Sequence, residues 1–168
     1  METSVSDVSE QARKMRYSHV RGAEAPKLQG RRSYVEYRDL GVMAASGGWM
    51  RAQFVGRRTD IAPPTGWHYH TADAQIIYFL QGWAELVFED GNRIRAQAGD
   101  MLFIPGGTLH NDLISSIDLE VIEMSIPASM GTVNCDPPEG LPDYEIDDAL
   151  YAEATKRPST GDKVEVDA

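Results

Sequence analysis

His68 and His70 bracket Tyr69 in a run of strand-forming residues. The two-residue repeat of a strand places both imidazoles on one face and Tyr69 on the other. Two neutral nitrogen donors so close together are half of a site for Fe, Mn, Ni, Cu or Zn, although strand histidines also serve as plain hydrogen-bonding groups. Gln75 follows, with an amide oxygen that accepts without carrying charge. A third imidazole, His110, closes the run that begins at Gly99. Glu123 interrupts the largely apolar stretch 119–126, either as an acid/base or as a solvent-facing strand residue. Asp112 shares parity with His110 and either orients it or sits at a strand end. Cys135 and His19 lie outside this group and read as inert and as a surface residue.

These side chains need strands to hold them. β-branched and aromatic runs, most of them bounded by Gly, Pro, Asn or Asp, occupy 34–37, 49–55, 67–70, 74–80, 84–88, 93–97, 101–104, 109–113 and 119–126. So many short strands at close spacing predict an all-β sandwich or barrel. Asp90-Gly91 marks a hairpin. Residues 1–32 read as a flexible N-terminal arm, 33–130 as the domain, and 131–168 as an acidic, mostly irregular C-terminal tail outside the core. Within that tail an Asp-capped helix is expected over 147–156. Alternation from His68, His70 and Gln75 predicts an inner face with Ile77, Phe79, Ala52, Phe54, Ala84, Leu86, Phe88, Met101 and Phe103. Tyr78 falls on the opposite face.

The chain has 168 residues, a formal net charge of −10 and one cysteine. Residues 136–168 hold ten acidic and three basic side chains, so the body is nearly balanced. An acidic chain is poorly suited to nucleic acid, and no apolar run is long enough for a membrane helix. The single cysteine excludes a disulfide framework, and the polar, acidic N-terminus is unlike a signal peptide, so the cytoplasm is the expected location. A homodimer is expected through strands near 34–40.

Gly99, Pro105, Gly107 and His110 resemble the second motif of the cupin family in full, and His68, His70, Gln75 and Gly82 resemble its first motif with one substitution. The resemblance implies a single cupin β-barrel, the double-stranded β-helix of jelly-roll type. It further implies one divalent transition metal on His68, His70, Gln75 and His110, Fe or Mn favoured, Zn or Ni as alternatives. Gln75 stands where cupins most often have Glu, so it either ligates through its oxygen or hydrogen-bonds a metal water. As a ligand it leaves the ion's charge unreduced, which favours an anionic ligand or enolate, and its replacement by Glu is expected to tighten the metal. In isomerase-like cupins, such as those acting on unsaturated uronates, a carboxylate near Glu123 serves in proton transfer. The arginine such enzymes carry soon afterwards is absent, with Ser129 near its place.

The implied function is a metal-dependent enzyme on a small organic substrate, an enolisable or aromatic carbonyl compound. A dioxygenase-like oxidoreductase is the first reading. A Lewis-acid isomerase, lyase or cyclase is the second, and a non-catalytic metal- or ligand-binding module is the rival from another class.

Overall fold

The computed structural model describes residues 8–30, 33–56, 59–61 and 63–156. The outermost parts of the arm and tail lie outside the described residues. Eleven strands run in chain order: β1 (Lys27–Leu28), β2 (Glu36–Asp39), β3 (Arg51–Gly56), β4 (His68–His70), β5 (Ala74–Gln81), β6 (Trp83–Phe88), β7 (Arg93–Gln97), β8 (Met101–Pro105), β9 (His110–Ser115), β10 (Glu120–Ile126) and β11 (Thr132–Asn134). They form two antiparallel sheets, ordered β1-β2-β3-β10-β5-β8 and β11-β4-β9-β6-β7. This is the all-β jelly-roll arrangement expected. The ladders do not close into one continuous barrel; the two sheets instead enclose a core by packing face to face.

The β6–β7 hairpin turns where Asp90-Gly91 predicts it. Gly91 adopts φ 80°, and its N–H donates to the Phe88 carbonyl at 2.8 Å. Asn111 and Val87 stand opposite one another on β9 and β6, and a bulge between Glu85 and Leu86 shifts that pairing farther along.

Cross-strand partners share a face, so the register fixes the inner face of the larger sheet. One row contains Arg51, Ser125, Gln75 and Ile104; the next contains Gln53, Glu123, Ile77 and Leu102; a third contains Tyr37, Val55, Val121 and Phe79. Four residues expected inside are therefore on the other face. Met101 and Phe103 are 64% and 60% exposed, paired with Tyr78 and Ile76, while Leu102 and Ile104 turn inward. On β3 the inward residues are Arg51, Gln53 and Val55 rather than Ala52 and Phe54. On β6 the expectation holds, since Ala84 and Leu86 face the interior cavity.

The inter-sheet core gathers Val55, Phe79 and Val121 from one sheet and Leu119 from just before β10 with Ala96 from the other sheet. A second core lies on the outer side of the smaller sheet and overturns the expected position of the tail. There Trp67, Val87 and Ile114 are buried against Leu141, Tyr144, Ile146, Leu150 and Ala154. A backbone bond from the Ile117 N–H to the Ala154 carbonyl, at 2.7 Å, and one from the Trp67 indole to the Pro142 carbonyl, at 3.1 Å, fasten the segment. The expected helix is present as Asp148–Ala154, capped by Asp147, whose carboxylate accepts from the Leu150 N–H at 2.7 Å. Composition misled because the acidic residues of this segment alternate with apolar ones that have a sheet face to cover.

The arm also contributes a strand. β1 pairs with β2, which in turn pairs with β3, so the strand expected to form a dimer edge is internal to its sheet.

Candidate metal centre

The β4–β9 register sets His68 directly opposite His110, and His70 lies one strand repeat along on the same face. The rings of His68 and His110 have centroids 4.3 Å apart, and His70 stands 5.1 Å from each. One ring nitrogen from each of the three lies within 4.8 Å of the others. All three residues are buried, at 4%, 8% and 1% exposure for His68, His70 and His110.

Backbone acceptors orient these rings. His68 Nδ1 meets the Gly66 carbonyl at 2.9 Å, and His110 Nδ1 meets the Thr108 carbonyl at 2.9 Å. A carbonyl can only accept, so each neutral ring carries its proton on Nδ1 and keeps an unshared pair on Nε2. His70 Nδ1 lies 3.4 Å from the Gly131 carbonyl and 3.1 Å from the Thr132 hydroxyl. Two consequences follow. The Thr108 carbonyl, not Asp112, holds His110; and the start of the supposed tail supports His70. Burial, reinforced by the neighbouring His110 and His68, lowers the His70 pKa to about 4. A group so placed stays neutral at physiological pH, the form in which imidazole ligates metals.

Gln75 and Glu123 meet inside the same cavity. Gln75 Nε2 donates to Glu123 Oε1 at 2.8 Å, and Gln53 Nε2 donates to the other oxygen of the same carboxylate. Because a carboxylate accepts only, the amide nitrogen of Gln75 must face it. The Gln75 carbonyl oxygen is then left buried with no hydrogen-bond partner among the described residues. An orphaned buried acceptor is costly, and in a cavity that His68 and His70 also line it fits a cation. The residues present therefore suit a divalent transition metal, with nitrogen donors excluding a calcium- or magnesium-like all-oxygen site.

The cavity has a volume of about 400 Å³ and suits a small organic molecule. His68, His70, Gln75, Glu123, Gln53 and Arg51 line it, together with apolar side chains that include Val55, Ile77, Phe79 and Leu86. Leu28 and Gly30 from the arm form part of the wall, against Tyr37. A Cβ on Gly30 would lie 1.9 Å from the Tyr37 ring, so only glycine allows that approach. Phe88 stacks beside His110 with centroids 6.0 Å apart.

The three histidines thus converge, and Gln75 meets Glu123 in the cavity that His68 and His70 line, whereas Asp112 lines the cavity without orienting His110. Cys135 packs against the outer core, and burial raises its thiol pKa, which keeps it unreactive. His19 is exposed. Sequence reasoning missed Arg51 and Gln53. Their signal was a polar residue at every second position of a strand, 51 and 53, in phase with Val55.

A family model for the cupin domain matches residues 58–112. No curated protein matches the chain. Among solved structures, Pac13 from Streptomyces, a nucleoside dehydratase, is similar with a TM-score of 0.50 at 12% identity, over 72% of this chain and 93% of that one. KdgF from Halomonas sp. is similar with a TM-score of 0.50 at 23% identity, over 67% of this chain and 96% of that one. At these identities the likeness concerns the fold.

Proposed function

We propose that the chain is a cupin in which His68, His70, His110 and the Gln75 carbonyl oxygen hold one divalent transition metal, and that it is an enzyme acting on a small organic substrate. The observations that carry this reading are three converging imidazoles and an unpartnered Gln75 oxygen in the cavity that His68 and His70 line. The bound metal supplies a Lewis acid that polarises a substrate carbonyl or hydroxyl oxygen. Its donors are all neutral, so its positive charge is undiminished where negative charge develops.

Within this class, a proton-moving reaction, isomerisation or elimination, is favoured over oxidation. The support is Glu123. Its carboxylate lines the cavity and is held by two amide donors, Gln53 and Gln75. Each carboxylate oxygen retains a free acceptor site, so Glu123 can take a proton from a carbon next to a polarised carbonyl and return it elsewhere. Ile77, Phe79, Leu86 and Val121 give the cavity an apolar wall. Oxidation of the same substrate class by dioxygen is the second reading, supported by a three-histidine set that leaves coordination positions free.

Elemental analysis of protein purified without added metal, followed by proton NMR of enolisable carbonyl compounds in deuterated water, tests the proposal. One equivalent of Zn, Mn, Fe or Ni with enzyme-dependent exchange of the α-hydrogen is the expected result. Substrate-dependent oxygen uptake without such exchange selects the second reading. A chain that retains no transition metal and binds none on titration sinks both.

A further inference from the structure

The inner face of the larger sheet is graded along its strands. Arg51, Ser125 and Gln75 form one row, Gln53 and Glu123 share the next with Ile77, and Val55, Val121 and Phe79 form the third. Successive inward residues on a strand lie roughly 6.7 Å apart, so the cavity passes from charged to apolar over about 13 Å. Among the described residues, Arg51 is the only Lys or Arg lining it. Its Nε is buried and meets no hydrogen-bond partner, and it forms no ion pair among the described residues. A guanidinium cannot shed its proton to escape that position, so this half-buried residue is a cation whose innermost nitrogen is an unused donor. Buried polar groups are ordinarily paired, and an exception calls for an occupant.

We infer that Arg51 binds a carboxylate of the substrate, and that the ligand is a small monocarboxylic acid with an apolar body. A planar fork of N–H donors matches a planar carboxylate through two parallel bonds. The ligand's charge is set by the surroundings: Glu123 and Asp112 also line the cavity, which disfavours a dianion such as a phosphate monoester. Its body is set by the third row, where Val55, Val121 and Phe79 offer apolar contact beside Tyr37. Arg51 and Gln75 flank Ser125 across two strand spacings, about 10 Å between backbones, so an acid gripped by Arg51 extends beside the proposed ligand set. The assignment of the reacting end rests on the metal reading; the preference for an acid does not.

Calorimetric titration of hexanoate and phenylacetate, each against its uncharged amide, into metal-loaded and metal-stripped full chain tests the inference. In the unaltered protein both acids should bind at least about tenfold more tightly than the amides, the value of one charge-assisted pair. Arg51→Met should erase the difference, and Arg51→Lys should keep part of it, because an ammonium retains charge without the fork. Equal binding of acid and amide overturns the inference, as does failure of either acid to bind at millimolar concentration. An acid preference that survives in Arg51→Met also overturns it. Should Arg51→Met fail to fold, the acid–amide comparison in the unaltered protein still decides. If the chain holds no metal yet prefers acids, only the metal reading fails; if it holds metal without the preference, only the Arg51 reading fails.

Discussion

The amide nitrogen of Gln75 lies 2.8 Å from Oε1 of Glu123, and this contact fixes the orientation of the Gln75 amide. With the nitrogen committed to a carboxylate, the oxygen is the free end. The contact also reverses a simple expectation about charge. Gln75→Glu, judged alone, adds attraction for a cation, but here it sets a second carboxylate against Glu123 in place of a donor.

The exchanged pair, Gln75→Glu with Glu123→Gln, restores one donor and one acceptor across that gap. It should bind Zn or Co at least about tenfold more tightly than either single variant, read by competition with a chelator. Gln75→Glu alone should gain little affinity and lose stability in its metal-free form. If Gln75→Glu alone binds most tightly, Glu123 is not what orients position 75.

Removing one imidazole should separate ligation from folding. His68→Ala loses the Nδ1 bond to Gly66 and leaves a small void, at a cost of about 1–3 kcal/mol in the metal-free protein. Metal retained after dialysis should fall to near background, while the circular dichroism of the β-sheets is unchanged. Full metal retention in this variant would remove His68 from the site.

Much of this centre was legible in the chain. The parity of His68 and His70 and the spacing of Gly99, Pro105, Gly107 and His110 led to three rings within reach of one ion. The phase of β8 was not legible, because Met101, Leu102, Phe103 and Ile104 are all apolar and alternation has nothing to act on. Only pairing with β5 turns Leu102 and Ile104 inward. On β3 the rule that polar residues face out failed for a different reason. Arg51 and Gln53 face a cavity that is itself polar at that end, which is where local patterning and function are expected to conflict.

His70 makes the metal-free protein sensitive to acid. Its pKa falls from 6.5 to about 4 on folding, through burial first and the adjacent imidazoles second. The unfolded chain therefore binds more protons than the folded one between those values, and stability drops as pH falls through that window. The melting temperature of metal-free protein should decline from about pH 6.5 towards pH 4. His70→Gln should flatten part of that decline. An unchanged pH profile in His70→Gln would assign the acid sensitivity to other groups.

The segment after β11 offers the clearest separation of fold from site. Tyr144, Ile146, Leu150 and Ala154 cover Trp67 and Val87, and Arg95 is ion-paired with Glu153 while lying 3.7 Å over the Trp83 ring. Deleting 143–168 uncovers that face and should cost at least about 3 kcal/mol, given the apolar area involved. The loss is expected in packing rather than in ligation, because none of the described residues of this segment lines the cavity. Thr132→Val acts the other way. It removes the hydroxyl 3.1 Å from His70 Nδ1 but buries no less apolar surface, so metal affinity should weaken while the melting temperature moves little. Denaturant unfolding and chelator competition on the two variants read these effects separately. A truncated chain as stable as the full one would mean that the outer core contributes nothing, despite leaving Trp67 only 2% exposed.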